Sequence, residues 1–405
     1  MYINFWYPMA TTAELTDQPR KVRALGQDFV VFRDSQGKAR CLANTCTHRG
    51  GSLAGGKIKG DCIQCPYHGW QFNGEGECQK IPSLGAKANI PARTRIDAYP
   101  VDERYGLVFA FLGDLPEAER PPILEVKEWE QEGWRTTLQH YQLNGYYERS
   151  IENGIDPAHN EYVHDTHGFS GEREEEYKIG DMRIEDHAPW GRGFWHTFQA
   201  PPLQGDLKKY RAGEGSLDAG TGYHGTNQVW TFIHPGPNFF IHQYLYERPI
   251  DEKTTHLYLV CARNFSLEEK TDAYVIERNQ YVANQDVKII EELHPMVTPD
   301  KNTKEFMVPS DQVILDYRAR QKEWAAKGWK IDMLAVAANG GRTAYAVPSP
   351  ARRRQKGWVL DAIPLVDPAR YADKRDEIKA VVCAGFRGVN AWIAETRVPV
   401  STGAN

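Results

Sequence analysis

The stretch CTHRGGSLAGGKIKGDCIQCPYHGW, residues 46–70, sets one cysteine beside one histidine twice. Cys46-x-His48 comes first, and Cys65-x-x-His68 follows after sixteen intervening residues. Two thiolates and two imidazoles on glycine-bordered loops are the donor set of a transition-metal site. The surrounding chain does not need a metal merely to fold. With 405 residues, 41% of them hydrophobic, it can bury an ordinary core. Its length suggests two or three domains. A net charge of −5 argues against a nucleic-acid binder, and the one dense basic cluster, Arg352-Arg353-Arg354, reads as a solvated or intersubunit surface. The N-terminal MYINFWYPMATTAEL lacks the charged and apolar regions of a signal peptide, and the apolar run Tyr105–Leu112 is too short to span a membrane. A cytoplasmic location is expected, with no membrane and no nucleic-acid partner. In a reducing compartment the seven cysteines read as ligands or buried thiols; Cys41, Cys62, Cys78, Cys261 and Cys383 fit no ligand spacing.

Working outward, residues 1–115 read as short strands with glycine turns. RALGQDFVVFRDSQGKARCLAN alternates about Gln36-Gly37 as a hairpin would, and KIKGDCIQC and YGLVFAFLG are further strands. This predicts an all-β first domain. Acidic, proline-containing sequence from Gly113 to Val126 reads as a linker. Residues 116–405 form the second domain, with a C-terminal extension from about 329. Its strands include two about Pro235-Gly236-Pro237-Asn238. A helix is predicted before Pro295 from the apolar spacing of Ile276, Tyr281, Val287, Ile290 and Leu293. The fold class is α+β, with helices on an antiparallel sheet in a helix-grip-like arrangement.

Two chemistries want Cys46, His48, Cys65 and His68. A structural zinc takes two cysteines and two histidines tetrahedrally. A Rieske [2Fe–2S] cluster takes two cysteines on one iron and two histidines on the other. Zinc fingers pair Cys with Cys and His with His, whereas here each loop can hand one ligand to each iron. The C-x-H-x16-C-x2-H pattern with CPYHGW closely resembles the N-terminal domain of Rieske non-haem iron oxygenases. The resemblance implies a cluster on these four residues.

A second constellation follows in SIENGIDPAHNEYVH, residues 150–164. Non-haem iron(II) that activates dioxygen is commonly held by two histidines and one carboxylate, with the remaining positions open. His159 and His164 are five apart, about 140° around a regular helix, so a helix between them must deform or end. Asn153, Asp156, His159 and His164 resemble the family's N-x2-D-x2-H-x4-H motif. His167 lies outside it and is expected to pack nearby or lie on the surface. The third ligand must be distant, from among Asp272, Glu277, Asp286, Glu291, Glu292, Asp311 and Asp316. Asp286 resembles the family's helical aspartate, with Asp311 next.

The resemblance also implies the working parts. Electrons would pass from the cluster to a mononuclear Fe(II), with dioxygen as co-substrate. Asp156 would accept hydrogen bonds from His159 and from a neighbouring chain's His68, in a head-to-tail homotrimer or a multiple of it. Asn153 would lie close to the iron without binding it. No dinucleotide loop and no plant-type ferredoxin motif is present in the sequence. NAD(P)H would therefore act only through a separate reductase, directly or through a ferredoxin. The expected activity is hydroxylation or oxidative O- or N-demethylation of a small, aromatic molecule. Asn227, Trp230, Phe232, Phe240, His242 and Tyr244 are candidate pocket residues. A cis-dihydroxylating dioxygenase, and an electron-transfer protein with a non-catalytic second domain, are the competing readings.

Overall fold

The computed structural model describes residues 1–200, 202, 213, 215–236 and 238–372. Pro237 of the proposed turn and Cys383 lie outside them. The N-terminal part holds eleven short strands: β1 (Phe5–Thr11), β2 (Arg20–Ala24), β3 (Gln27–Arg33), β4 (Ala39–Ala43), β5 (Lys57–Lys59), β6 (Cys62–Gln64), β7 (Gln71–Asn73), β8 (Cys78–Lys80), β9 (Ala98–Tyr99), β10 (Val101–Arg104) and β11 (Leu107–Leu112). They form three antiparallel sheets, β2-β3-β4-β9, β5-β6-β7-β8 and β1-β11-β10. The β3–β4 hairpin turns through Gly37 at φ +78°, and Asp34 Oδ1 accepts from the N–H groups of Gln36 and Lys38, both at 3.0 Å. Val30, Phe32, Leu42, Leu53, Ile63 and Phe72 make a core that also includes Cys46 and Cys65. The two cysteine–histidine loops are thus rooted in packed apolar side chains.

The second part is built on a seven-stranded antiparallel sheet in the order β12-β18-β17-β16-β15-β14-β13. Its strands are β12 (Arg135–Leu143), β13 (Arg183–His187), β14 (Gly191–Ala200), β15 (Gly215–His224), β16 (Gln228–Gly236), β17 (Phe239–Pro249) and β18 (Thr255–Arg263). Against it lie α1 (Tyr147–Gly154), the one-turn α2 (Asn160–Val163), α3 (Asp272–Ile290) and α4 (Gln312–Ala326). Successive side chains alternate between faces, so each strand serves both. On β17, Ile241, Gln243 and Leu245 face a cavity under α3. On the other face, Tyr244, Tyr246, Trp230, Tyr258 and Val260 pack with Leu107 and Phe109 of the first unit.

Three sequence expectations change here. The Gly113–Val126 segment is no free linker. Ile123 and Val126 are buried against the sheet's outer face, Leu124 N–H donates to Gln228 Oε1 (2.7 Å), and Leu124 C=O accepts from Tyr246 Oη (2.7 Å). Helix α3 turns Ile276 and Tyr281 outward and ends short of Pro295. Among its described residues, the C-terminal extension contributes nothing to the cavity lining. It straps the first unit instead. Tyr99 Oη donates to Val347 C=O (2.7 Å), and Arg352 makes a two-point pair with the fully buried Asp97 (2.8 and 2.7 Å). Arg352 is therefore an internal clamp rather than a solvated charge. Among the described residues, no helix is long and apolar enough to cross a membrane.

Candidate functional site

The two cysteine–histidine loops have matching geometry. Gly50 N–H donates to Cys46 C=O (2.9 Å), and Gly69 N–H donates to Cys65 C=O (3.0 Å). Cys46 N–H donates to Gly51 C=O (2.9 Å), and Cys65 N–H donates to Trp70 C=O (2.7 Å). Both cysteines are buried, and both histidines are exposed. The His48 and His68 ring centroids lie 4.4 Å apart, and His48 stacks on Trp70 at 4.7 Å. A Cβ at Gly51 would sit 3.0 Å from Cys65 Sγ, so glycine leaves the sulfur its space. Gly69, at φ +73°, makes the turn after His68. Burial, with Cys65 alongside, pushes the Cys46 thiol up to about 12, so its thiolate needs a cation beside it. Two buried sulfurs inside and two exposed imidazoles outside fit a Rieske cluster.

The second constellation is assembled from three elements. Helix α1 ends at Gly154, whose carbonyl accepts from Thr221 Oγ1 (2.7 Å) on the sheet. The chain then turns through Asp156, whose Oδ1 accepts Ala158 N–H (2.7 Å). His159 and His164 flank α2, and His164 leaves it in extended conformation at φ −106°, ψ 110°. Glu161 receives the N–H groups of Phe169 and Gly171 and ties the following loop back. Opposite stands Asp286 on α3. His164 Nε2 lies 3.2 Å and His159 Nε2 3.6 Å from Asp286 Oδ1, and the three ligand atoms all lie within 4.8 Å of one another.

The outer ring nitrogens fix the tautomers. His159 Nδ1 donates to the backbone carbonyl of Asp156 (2.8 Å), and His164 Nδ1 donates to Gln285 Oε1 (3.0 Å). Each Nε2 is left to face the carboxylate. Asn153 Nδ2 donates to Asp286 Oδ1 (3.0 Å). Burial works against charge on Asp286, yet the two imidazoles and this amide hold its carboxyl below its ordinary value. Burial lowers His159, while Asp286 raises His164 against the same effect. Two neutral-capable imidazoles and one stabilised carboxylate fit the three-ligand face of a non-haem iron(II) site.

Asp156 differs in detail from its expectation: its carbonyl, not its carboxylate, takes the His159 proton, and Oδ2 stands 3.9 Å from Nδ1. Its side chain is part-exposed. The other carboxylate candidates are engaged elsewhere or solvated. Asp272 pairs with Arg135 and Arg263, Asp316 with Arg192, Glu291 with Asn144 N–H, and Asp311 with Val308 N–H. Glu277 and Glu292 are exposed. His167 packs on His164, with ring centroids 4.6 Å apart.

The histidines and Asp286 open into a cavity of about 240 Å³, lined mainly by apolar groups such as Phe194, Leu217, Val229, Ile233, Ile241 and Leu257. None of Asn227, Trp230, Phe232, Phe240, His242 and Tyr244 lines it. The strands are as expected, but the set of alternate residues is the other one. Trp230, Phe232 and Tyr244 pack on the outer face, His242 Nδ1 donates to Glu128 (2.6 Å), and Asn227 Nδ2 bridges the carbonyls of Trp6 and Glu247. Residues missed from sequence are Gln285, behind His164, and His196 and Arg278, in the cavity wall. Arg278 and Asn279 precede Asp286 by whole turns of α3, a helical signal that the apolar count ignored.

A cysteine–histidine cluster fold joined to a helix-covered sheet bearing two histidines and an aspartate defines a Rieske-type oxygenase. Residues 5–100 match the family model of the Rieske [2Fe-2S] domain, and residues 143–327 that of the vanillate O-demethylase oxygenase C-terminal domain. The chain belongs to the Rieske non-haem iron oxygenases, as a catalytic subunit of the monooxygenase and demethylase group. It is 28% identical over 368 residues to the iron-sulfur subunit of the toluene-4-sulfonate monooxygenase system of Comamonas testosteroni, covering 84% of this chain and 98% of that one. It is 27% identical over 265 residues to the 5,5'-dehydrodivanillate O-demethylase oxygenase subunit of Sphingobium, covering 62% and 56%. Matches to several other relatives span about half of their length or less. Among solved structures, Pseudomonas putida CBB5 NdmA with caffeine superposes with TM-score 0.66 at 23% identity, over 80% of this chain and 91% of that one. Apo dicamba monooxygenase gives 0.62 at 18%, over 80% and 97%. These structural likenesses carry the fold. The family brings a Rieske [2Fe-2S] cluster and a separate reductase partner.

Proposed function

We propose that this chain is a terminal oxygenase that hydroxylates or oxidatively demethylates a small aromatic substrate. Cys46, His48, Cys65 and His68 carry the cluster, and His159, His164 and Asp286 hold Fe(II). The carrying observation is the convergence of those three ligand atoms at one end of an apolar cavity. When bound, the cluster supplies single electrons and the iron activates dioxygen, placing one atom in the substrate and the other in water.

The chain's own residues do the rest. Asp156 C=O and Gln285 hold the Nδ1 protons of the two histidines, which keeps each Nε2 free for the metal. Asn153 steadies Asp286. The apolar wall excludes water and presents a ring-sized substrate to the ligand face. The part-exposed Asp156 carboxylate and the exposed His68 are both available at the surface, which supports a contact between chains in a head-to-tail trimer.

The test is turnover with a surrogate reductase under labelled dioxygen. The expected product carries one labelled oxygen, or has lost a methyl group as formaldehyde. In Asp286→Ala, turnover should vanish and iron should fall from three to two per chain, with the cluster's visible spectrum kept. A diol labelled at both oxygens, or undiminished turnover in Asp286→Ala, would refute the proposal.

A further inference from the structure

The cavity wall holds one charge that the chemistry above does not use. Arg278 is the only cation among the described lining residues. It makes no hydrogen bond, ion pair or ring contact with the described residues. Every other charged lining group is accounted for: Asp286 belongs to the iron ligands, and Asp156 to the turn before them. A part-exposed guanidinium with no carboxylate partner among the described residues keeps its five N–H donors available to a ligand. The neutral polar groups beside it are already satisfied by one another. Asn279 accepts from Gln243 Nε2 (3.3 Å) and donates to Gln139 Oε1 (3.5 Å).

Its position also fits a role toward substrate. Arg278, Val282 and Asp286 recur every four residues on the cavity face of α3. The carboxylate and the arginine are thus separated by about 12 Å of helix axis. Arg278 and His167 line the same cavity, and His167 packs on the ligand His164, with ring centroids 4.6 Å apart. The guanidinium therefore stands on the same wall as the ligand face, with room for an aromatic ring between. Across the cavity His196, 5% exposed, has a buried Nδ1 without a hydrogen-bond partner. The wall thus offers a second polar group to a substrate's substituent.

We infer that the substrate is an aromatic anion, a carboxylate or sulfonate, whose acid group is held by Arg278 while its ring fills the apolar cavity before the iron. This rests on the oxygenase reading above and narrows its substrate. Charge-assisted pairing with arginine is bidentate and stronger than a neutral hydrogen bond.

The test measures binding to the oxidised, iron-loaded enzyme by calorimetry, with no reductant. The probes are para-methoxybenzoate, para-toluenesulfonate and the neutral para-methoxybenzamide. At least one acid should bind about tenfold or more tighter than the amide, the worth of one charge-assisted hydrogen bond. The arm that binds tighter separates carboxylate from sulfonate. Arg278→Gln should erase the acid preference while leaving amide binding within about twofold, and Arg278→Lys should keep part of it. No preference for either acid in the wild type, including no binding of any probe, overturns the proposal, and so does a preference that survives Arg278→Gln. Turnover distinguishes the two readings. Oxygenation of the amide as efficient as that of the acids keeps the oxygenase and overturns the anion site. Acid-selective binding lost in Arg278→Gln, with no oxygen incorporated, supports the anion site and counts against the oxygenase.

Discussion

Replacing Gln285 by leucine isolates the role of one hydrogen bond in holding iron. His164 is 2% exposed, and its Nδ1 proton goes to Gln285 Oε1 at 3.0 Å. Gln285 is itself anchored by donating to Asp165 Oδ1 (3.0 Å), and Asp165 also accepts from Tyr281 Oη (2.6 Å). Leucine fills similar space but leaves a buried N–H without an acceptor, at a cost of about 1–3 kcal/mol. The imidazole then turns to find another partner and no longer presents Nε2 to the metal. The expected outcome is a Kd for Fe(II) raised roughly 10- to 100-fold, the usual worth of a partner behind a metal-binding histidine. Asp165→Asn keeps Gln285 in place and should cost only a few-fold. The assay is competition for Fe(II) against a chromogenic chelator, with the cluster's visible spectrum as an internal check on folding. Iron affinity within about twofold of wild type in Gln285→Leu, with that spectrum intact, would refute the orienting role.

Two further changes test stability. Glu247 is fully buried, neither carboxylate oxygen has a hydrogen-bond partner, and burial raises its pKa from 4.5 to about 8. An acid raised on folding keeps its proton longer folded than unfolded, so its presence costs stability progressively as pH rises from about 4.5 to 8. By pH 7 the cost reaches up to about 3 kcal/mol. Glu247→Gln should therefore show a Tm advantage absent near pH 4.5 and growing towards pH 8; a pH-independent difference would contradict this. Arg352→Ala leaves the buried Asp97 charge without its cation, held only by the two Ser349 donors, and should destabilise by about 3 kcal/mol. Limited proteolysis should then cut the C-terminal strap first, and an unchanged digestion pattern would argue against the clamp.

The parts legible in sequence were those where chemistry concentrates unusual residues at short range. Cys46, His48, Cys65 and His68 need only two loops, and each loop is complete within six residues, from Cys46 to Gly51 and from Cys65 to Trp70. The spacing of His159 and His164 demanded an interrupted helix, and α2 is a single turn between them. Asp286 was harder, because seven carboxylates competed and only the tertiary fold separates one facing two imidazoles from those facing arginines or water. The pocket residues were misassigned for a reason intrinsic to strands. Val229-Trp230-Thr231-Phe232-Ile233 offers two alternating sets, neither carrying a charge, and period two does not say which set faces the cavity. The aromatic set looked like a substrate site. It is instead the seam that buries the sheet's second face against Leu107, Phe109 and Ile123. A sheet covered on both faces loses the polar alternation that would have settled the question.

That seam bears on how electrons reach the iron. The N-terminal unit docks on the sheet face opposite the cavity, through Trp6, Leu107 and Phe109. In the head-to-tail trimer proposed above, a neighbour's exposed His68 would meet the part-exposed Asp156. Transfer between chains then has a consequence that transfer within one chain lacks. Cys65→Ser chains should lose the cluster and keep the iron ligands, and Asp286→Ala chains should lose the iron and keep the cluster. Each homo-oligomer should be inactive. Co-expressed, the two would form mixed rings in which an intact cluster faces an intact iron site across an interface, and turnover should return in proportion to the mixed interfaces. Mixed rings that assemble, verified by two different affinity tags, yet remain inactive would refute the interchain route while leaving both metal sites as assigned. Restored turnover abolished by adding Asp156→Ala to the chain that keeps its iron would identify Asp156 as the residue through which the interface works.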